Sequence, residues 1–106
     1  MSSIPQLETE RLILRAPHMK DLDAMAQFFA SPRSQSAGGP LDRGQVWRAL
    51  LRSAGHWHLR GYGLWHAIDK SSATMCGYCG FIEHIEWPEA ELAWGVYDGY
   101  EGKGFA

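Results

Sequence analysis

The chain has 106 residues with 45% hydrophobic and 21% charged residues and a formal net charge of -2, which bounds it to one globular domain, residues 1–106, with material for a single core. Mild acidity gives no basic field for a nucleic-acid partner. No stretch approaches the ~18 consecutive apolar residues of a membrane span, and "MSSIPQLETERLILRAP" lacks the basic-then-apolar order of a signal peptide.

The first element is "ERLILR", 10–15, where Leu12 and Leu14 alternate with Arg11, Ile13 and Arg15 as in a strand. Pro17 ends it. Over 19–30, Leu22, Met25, Ala26 and Phe29 fall at helical spacing and predict a short amphipathic helix. "SPRSQSAGGP" has the composition of a loop. Asp42 with Gln45 three residues on is a capping box. It opens a helix that carries Val46, Leu50, Ala54 and Trp57 on one stripe, with Trp47 and Leu51 beside it. That helix runs to about His58 and stops at Gly61.

Three strands follow: "GLWHAID" at 63–69, "TMCGYCGFIEHIEW" at 74–87 and "ELAWGVY" at 91–97. The two glycines inside the second suggest a bulge or a close backbone approach. Short turns between the strands make them antiparallel neighbours. The expected fold class is α+β: strand, helix, helix, then a three-stranded antiparallel meander.

Several motifs carry chemistry at face value. "CGYC", 76–79, has redox spacing, but a reactive pair sits where a strand enters a helix. Here more strand follows, and alternation sets residues three apart on opposite faces. Cys76 and Cys79 therefore read as unpaired structural thiols. Two cysteines without an export signal suit a reducing cytoplasm. "HWH", 56–58, lies at a helix end without an accompanying ligand cluster, and His18, His66 and His84 are scattered. No metal is expected; these are surface or core imidazoles. The carboxylates Glu83, Glu86, Glu89 and Glu91 mostly read as a solvated hairpin end. Glu91 is the exception. Alternation sets it on one face with Ala93, Gly95 and Tyr97, looking toward the closing turn, where it is suited to take a proton from a bound amine through a water. Glu83 and His84 stand behind it as substitutes. In that turn, "YEGKGFA", Gly102 and Gly104 let an anion approach the backbone, successive N–H groups form a nest, and Lys103 adds positive charge.

Taken together, "ETERLILRAP", "GLWHAID", "CGYCGF" and "ELAWGVYDGYEGKGFA" resemble, in order, the N-terminal half of the GNAT superfamily of acyl-CoA-dependent N-acetyltransferases, and most nearly its ribosomal-protein N-terminal acetyltransferases. The superfamily signature is Gln or Arg, two residues, Gly, one residue, then Gly or Ala. Glu101-x-x-Gly104-x-Ala106 matches it except for Glu in the first place. The resemblance implies that acetyl-CoA is the co-substrate. It implies that backbone amides of Gly102, Lys103, Gly104, Phe105 and Ala106 hold its pyrophosphate. It implies that the backbone of Trp94 and Val96 pairs with its pantetheine arm. The activity implied is acetyl transfer to a primary amine, small molecule or peptide. In this family the acid that protonates the thiolate comes from a tyrosine in the C-terminal half, so the chain reads as a truncated domain. The alternative is a catalytically inactive module that self-associates. In either case strand 91–97 is an edge, and a homodimer or larger assembly through it is expected.

Overall fold

The computed structural model describes residues 4–83, 85 and 89–97. Five strands form one sheet in the order β1 Leu7–Glu8, β2 Leu12–Arg15, β3 Leu64–Asp69, β4 Thr74–Ile82 and β5 Glu91–Val96. Every adjacent pair is antiparallel. Two helices, α1 Leu22–Phe29 and α2 Arg43–Arg60, are inserted between β2 and β3. The α+β class and the meander are as expected. β1 is an addition: two residues that pair with Leu14 and Ile13. The expected 74–87 strand ends at Ile82, and neither Glu83 nor Ile85 continues it.

The local signals of α2 are realised in detail. Asp42 accepts from the Gln45 N–H at 2.8 Å, and the Gln45 side chain accepts from the Asp42 N–H at 2.9 Å. Each bond satisfies an N–H that the helix start leaves unpaired. At the other end Gly61 closes the helix with φ 77°, a left-handed conformation that glycine adopts without a Cβ penalty. α1 follows a 3-10 turn, Met19–Asp21, capped by His18. The expected loop after α1 contains another such turn, Pro32–Ala37.

The core lies between the helices and one face of the sheet. Met25, Phe28 and Phe29 of α1 meet Val46 and Leu50 of α2 over Ile68, Met75 and Tyr97. Burying a side chain of this kind stabilises by about 1.5–3 kcal/mol. Phe28 stacks on Tyr97 with centroids 4.5 Å apart. The phase of α2 corrects one expectation. Val46, Leu50 and Trp57 are buried, but Ala54 is exposed and so are Trp47 and Leu51. On β2, Ile13 faces the helices, whereas Leu12 and Leu14 join Ala67 and Cys76 in a small second cluster.

A bulge corrects the expected alternation of β4. Ala67 pairs with Gly77 and Ile68 with Met75, so Cys76 is an extra residue. Past it the pleat is shifted by one. Met75 and Tyr78, three apart, both pack on the helix-side core. Cys76 and Cys79, also three apart, therefore share the other face. Both thiols are nevertheless free. Burial first, then the nearby Asp69 charge, pushes the Cys76 thiol up to about 11; burial raises Cys79 as well.

Candidate functional site

A cleft of about 890 Å³ opens between the helices and the far end of the sheet. Phe29 and Met25 of α1 and Arg52 and His56 of α2 form one wall. His66, Tyr78 and Tyr97 form the floor, and Glu91, Ala93 and Trp94 carry the cleft across β5 to the edge of the sheet. Two glycines shape the far wall. Tyr78 lies over Gly95, where a Cβ would come within 2.7 Å of the ring. Gly80 has φ 152°, and a Cβ there would meet the Gly63 carbonyl oxygen at 2.1 Å.

Among the described residues β5 has β4 as its one strand neighbour. The Tyr97 N–H donates to the Cys76 carbonyl at 2.8 Å, and the Phe81 N–H turns away from β5 to the Gly63 carbonyl. With Leu92 opposite Phe81 and Val96 opposite Gly77, the antiparallel pattern assigns the inward bonds to Glu91, Ala93 and Gly95. The N–H and C=O groups of Leu92, Trp94 and Val96 therefore point along the open edge. Their side chains lie on the face away from the core, and Leu92 and Trp94 are 60% and 63% exposed.

Glu91 starts β5 opposite Ile82, is exposed and lines the cleft. Glu83 is committed elsewhere. It accepts from the Tyr62 hydroxyl at 2.8 Å and from Arg60 Nε at 3.0 Å. The Tyr62 bond first, with Arg60 also contributing against the effect of burial, holds its carboxyl below the usual range, which weakens it as a base. His56 joins the same lip. Its Nε2 accepts from the Glu83 N–H at 2.9 Å and its Nδ1–H donates to the Tyr62 carbonyl at 2.7 Å. His84, Gly102, Lys103, Gly104, Phe105 and Ala106 lie outside the described residues.

The residues that local reading missed are on the floor. Asp21 accepts from Arg15 Nη1 at 2.9 Å and Nη2 at 2.6 Å, from the His18 N–H at 3.0 Å and from His66 Nδ1 at 2.6 Å. Burial works to raise its carboxyl, but the bonds from His66 and Arg15 win and hold it well below the ordinary carboxylate range. The Tyr97 hydroxyl is buried and has no hydrogen-bond partner among the described residues. Burial, then the Tyr78, Asp21 and Cys76 groups, pushes it far up, so it stays protonated. Among the described residues no three His, Cys, Asp or Glu side chains gather as metal ligands, and no helix is long and apolar enough to cross a membrane.

A two-layer α+β domain with an unpaired sheet edge beside a helix-walled cleft defines the class. Residues 11–106 match the family model described as "Acetyltransferase (GNAT) domain", and the chain belongs to that family. An acetyltransferase from Agrobacterium tumefaciens str. C58 is 38% identical; this chain is covered to 99%, that one to 61%, with a TM-score of 0.86. A Bordetella pertussis protein assigned to the GNAT family is 27% identical, with 95% and 65% covered and a TM-score of 0.81. A Vibrio cholerae protein assigned as a ribosomal-protein-serine acetyltransferase shares the fold at 16% identity, with 98% and 61% covered and a TM-score of 0.74. The chain thus spans between 61% and 65% of the length of these structures.

Proposed function

We infer that this chain supplies the acyl-donor edge and the acceptor cleft of an enzyme that moves an acetyl group from acetyl-CoA to a primary amine. The observation that carries the reading is the outward row of backbone groups at Leu92, Trp94 and Val96. A row of unmet N–H and C=O groups needs partners, and an amide-bearing pantetheine arm is an extended chain that meets them as a further strand does. An N–H on that edge is also suited to polarise the thioester carbonyl. The pyrophosphate falls to the backbone of Gly102, Lys103, Gly104, Phe105 and Ala106.

The acceptor is an amine, small molecule or peptide, that enters the cleft. Glu91 at its mouth attracts the ammonium and takes its first proton through a water. The two free thiols, Cys76 buried and Cys79 half-buried, suit a reducing compartment such as the cytoplasm. A second reading, an inactive self-associating module, is favoured by one observation: Phe81, Leu92 and Trp94 expose apolar surface together on and beside β5. On either reading a homodimer or larger assembly through 91–97 is proposed.

Val96→Pro tests the edge. The Val96 N–H faces outward, so proline costs β4 no ladder bond and is tolerated on an edge strand. Titration calorimetry should show acetyl-CoA binding weakened about tenfold or more, a change of ~1.4 kcal/mol, with the thermal transition little changed. Unchanged affinity in a folded variant removes the edge assignment.

A further inference from the structure

We propose that His66, held by Asp21, is the proton acceptor at the floor of the cleft for the nitrogen of the acceptor amine, in the step that follows its attack on the thioester. The proposal rests on the cleft being the acceptor site.

Four observations converge on His66. It is 1% exposed, and yet its ring lines a cleft large enough for a ligand. Its Nδ1 is 2.6 Å from an Asp21 carboxylate that Arg15 grips with both terminal nitrogens. A carboxylate only accepts, so Nδ1 carries hydrogen, and in the neutral ring Nε2 carries the lone pair. No described residue bonds Nε2. The hydroxyl of Tyr97, which lines the same cleft, is buried and has no partner among the described residues. Buried polar groups rarely stay unmet in a native protein. An unmet hydroxyl and the His66 ring lining one cleft mark where a polar atom of a ligand sits.

The chemistry has a vacancy of the right kind. An ammonium becomes an amide by losing two protons. Glu91 at the mouth accounts for the first, which passes through water to solvent. The neutral amine then forms its C–N bond with the thioester carbonyl, leaving a positively charged nitrogen with one proton too many. His66 Nε2 takes that proton while Asp21 balances the imidazolium. The C–S bond breaks, the leaving sulfur takes a proton from the acid that the family resemblance places in the C-terminal half, and the imidazolium passes its proton to water, which restores that acid, so the products are an amide and a thiol. The Tyr97 hydroxyl donates to the carbonyl oxygen as negative charge develops there. The charged and titratable groups facing His66 are Arg15 from β2, Asp21 before α1, Tyr78 from β4 and Tyr97 after β5, with Arg52 and His56 of α2 farther along the same cleft.

The first test needs no substrate. In ¹⁵N spectra of imidazole-labelled protein, the neutral His66 ring should carry hydrogen on Nδ1 and the lone pair on Nε2; the opposite tautomer overturns the proposal. The second uses the complete protein that carries this chain, with phenethylamine and a peptide with a free amino terminus as amine probes. His66→Asn keeps an N–H toward Asp21 but has no base. Its kcat should fall about 10²-fold. KM and the calorimetric affinity for acetyl-CoA should stay within about threefold, a difference below ~1 kcal/mol. Unchanged kcat in a variant that still binds acetyl-CoA overturns the role of His66 alone. Wild-type protein that fails to bind acetyl-CoA overturns the acetyl-transfer reading and this proposal with it.

Discussion

Asp21→Ala is the most informative single change to the scaffold. Asp21 is 2% exposed and takes four hydrogen bonds, two of them from the Arg15 guanidinium. Removing one partner of a buried ion pair typically costs about 3–5 kcal/mol. Arg15 keeps 18% side-chain exposure, so water recovers part of its loss, and about 3 kcal/mol is the better figure. At a urea dependence of ~1–3 kcal/mol/M the midpoint should drop by about 1–3 M at pH 7. The pH dependence sharpens the test. The folded carboxyl is held below its unfolded value of roughly 3.9, so its contribution is complete above that value and is lost as the pH falls toward the folded one. The gap between wild type and variant should therefore narrow measurably between about pH 5 and about pH 3. The difference between the two proteins cancels the acid response of other carboxylates. A midpoint shift below about 0.5 M at pH 7, or a gap that does not narrow in acid, would show that the cluster is not held as described.

Four further outcomes are expected. Gly80→Ala forces a Cβ onto the Gly63 backbone at positive φ and should cost about 2–4 kcal/mol in urea unfolding; a loss under about 1 kcal/mol contradicts that geometry. Glu91→Gln should lower kcat/KM most at low pH, where unassisted loss of the first proton is rarest, by ~10²-fold or more; a profile matching wild type removes Glu91 as the base. A thiol reagent applied to unfolded, unreduced protein should count both Cys76 and Cys79 as free; a count of zero reopens the disulfide. Light scattering at micromolar concentration should show a dimer or larger species that Trp94→Glu dissociates; a monomeric wild type rules out association through β5.

Features decided within a few residues were legible in the sequence. Asp42, Gln45 and Gly61 fix both ends of α2 by short-range bonds, and the sequence displays them. The phase of α2 was less legible, because Val46-Leu50-Trp57 and Trp47-Leu51-Ala54 are both apolar rows and only the sheet decides which is buried. β1 has no periodicity of its own and exists through its pairing with Leu14 and Ile13. The floor of the cleft was not legible at all. Asp21 and His66 are 45 positions apart, and no local pattern distinguishes His66 from a core imidazole. Glu91 stood out because strand alternation is short-range, whereas the ties that engage Glu83 come from Arg60 and Tyr62, over twenty residues earlier.

The additional residue at Cys76 divides β4 into two stretches that answer to different demands. Met75, before it, is anchored in the hydrophobic core; Tyr78 and Gly80, after it, shape the cleft. A strict two-residue repeat cannot present positions 75 and 78 to the same side, so the strand changes phase between its structural and its ligand-facing part. Shortening the chain by that one residue would make Met75 and Gly77 consecutive opposite Ile68 and Ala67, restore plain alternation, and leave Met75 and Tyr78 on the same side. The consequence of the insertion is therefore local: Cys76 buries one more side chain in the second cluster without altering which residues beyond it line the cleft.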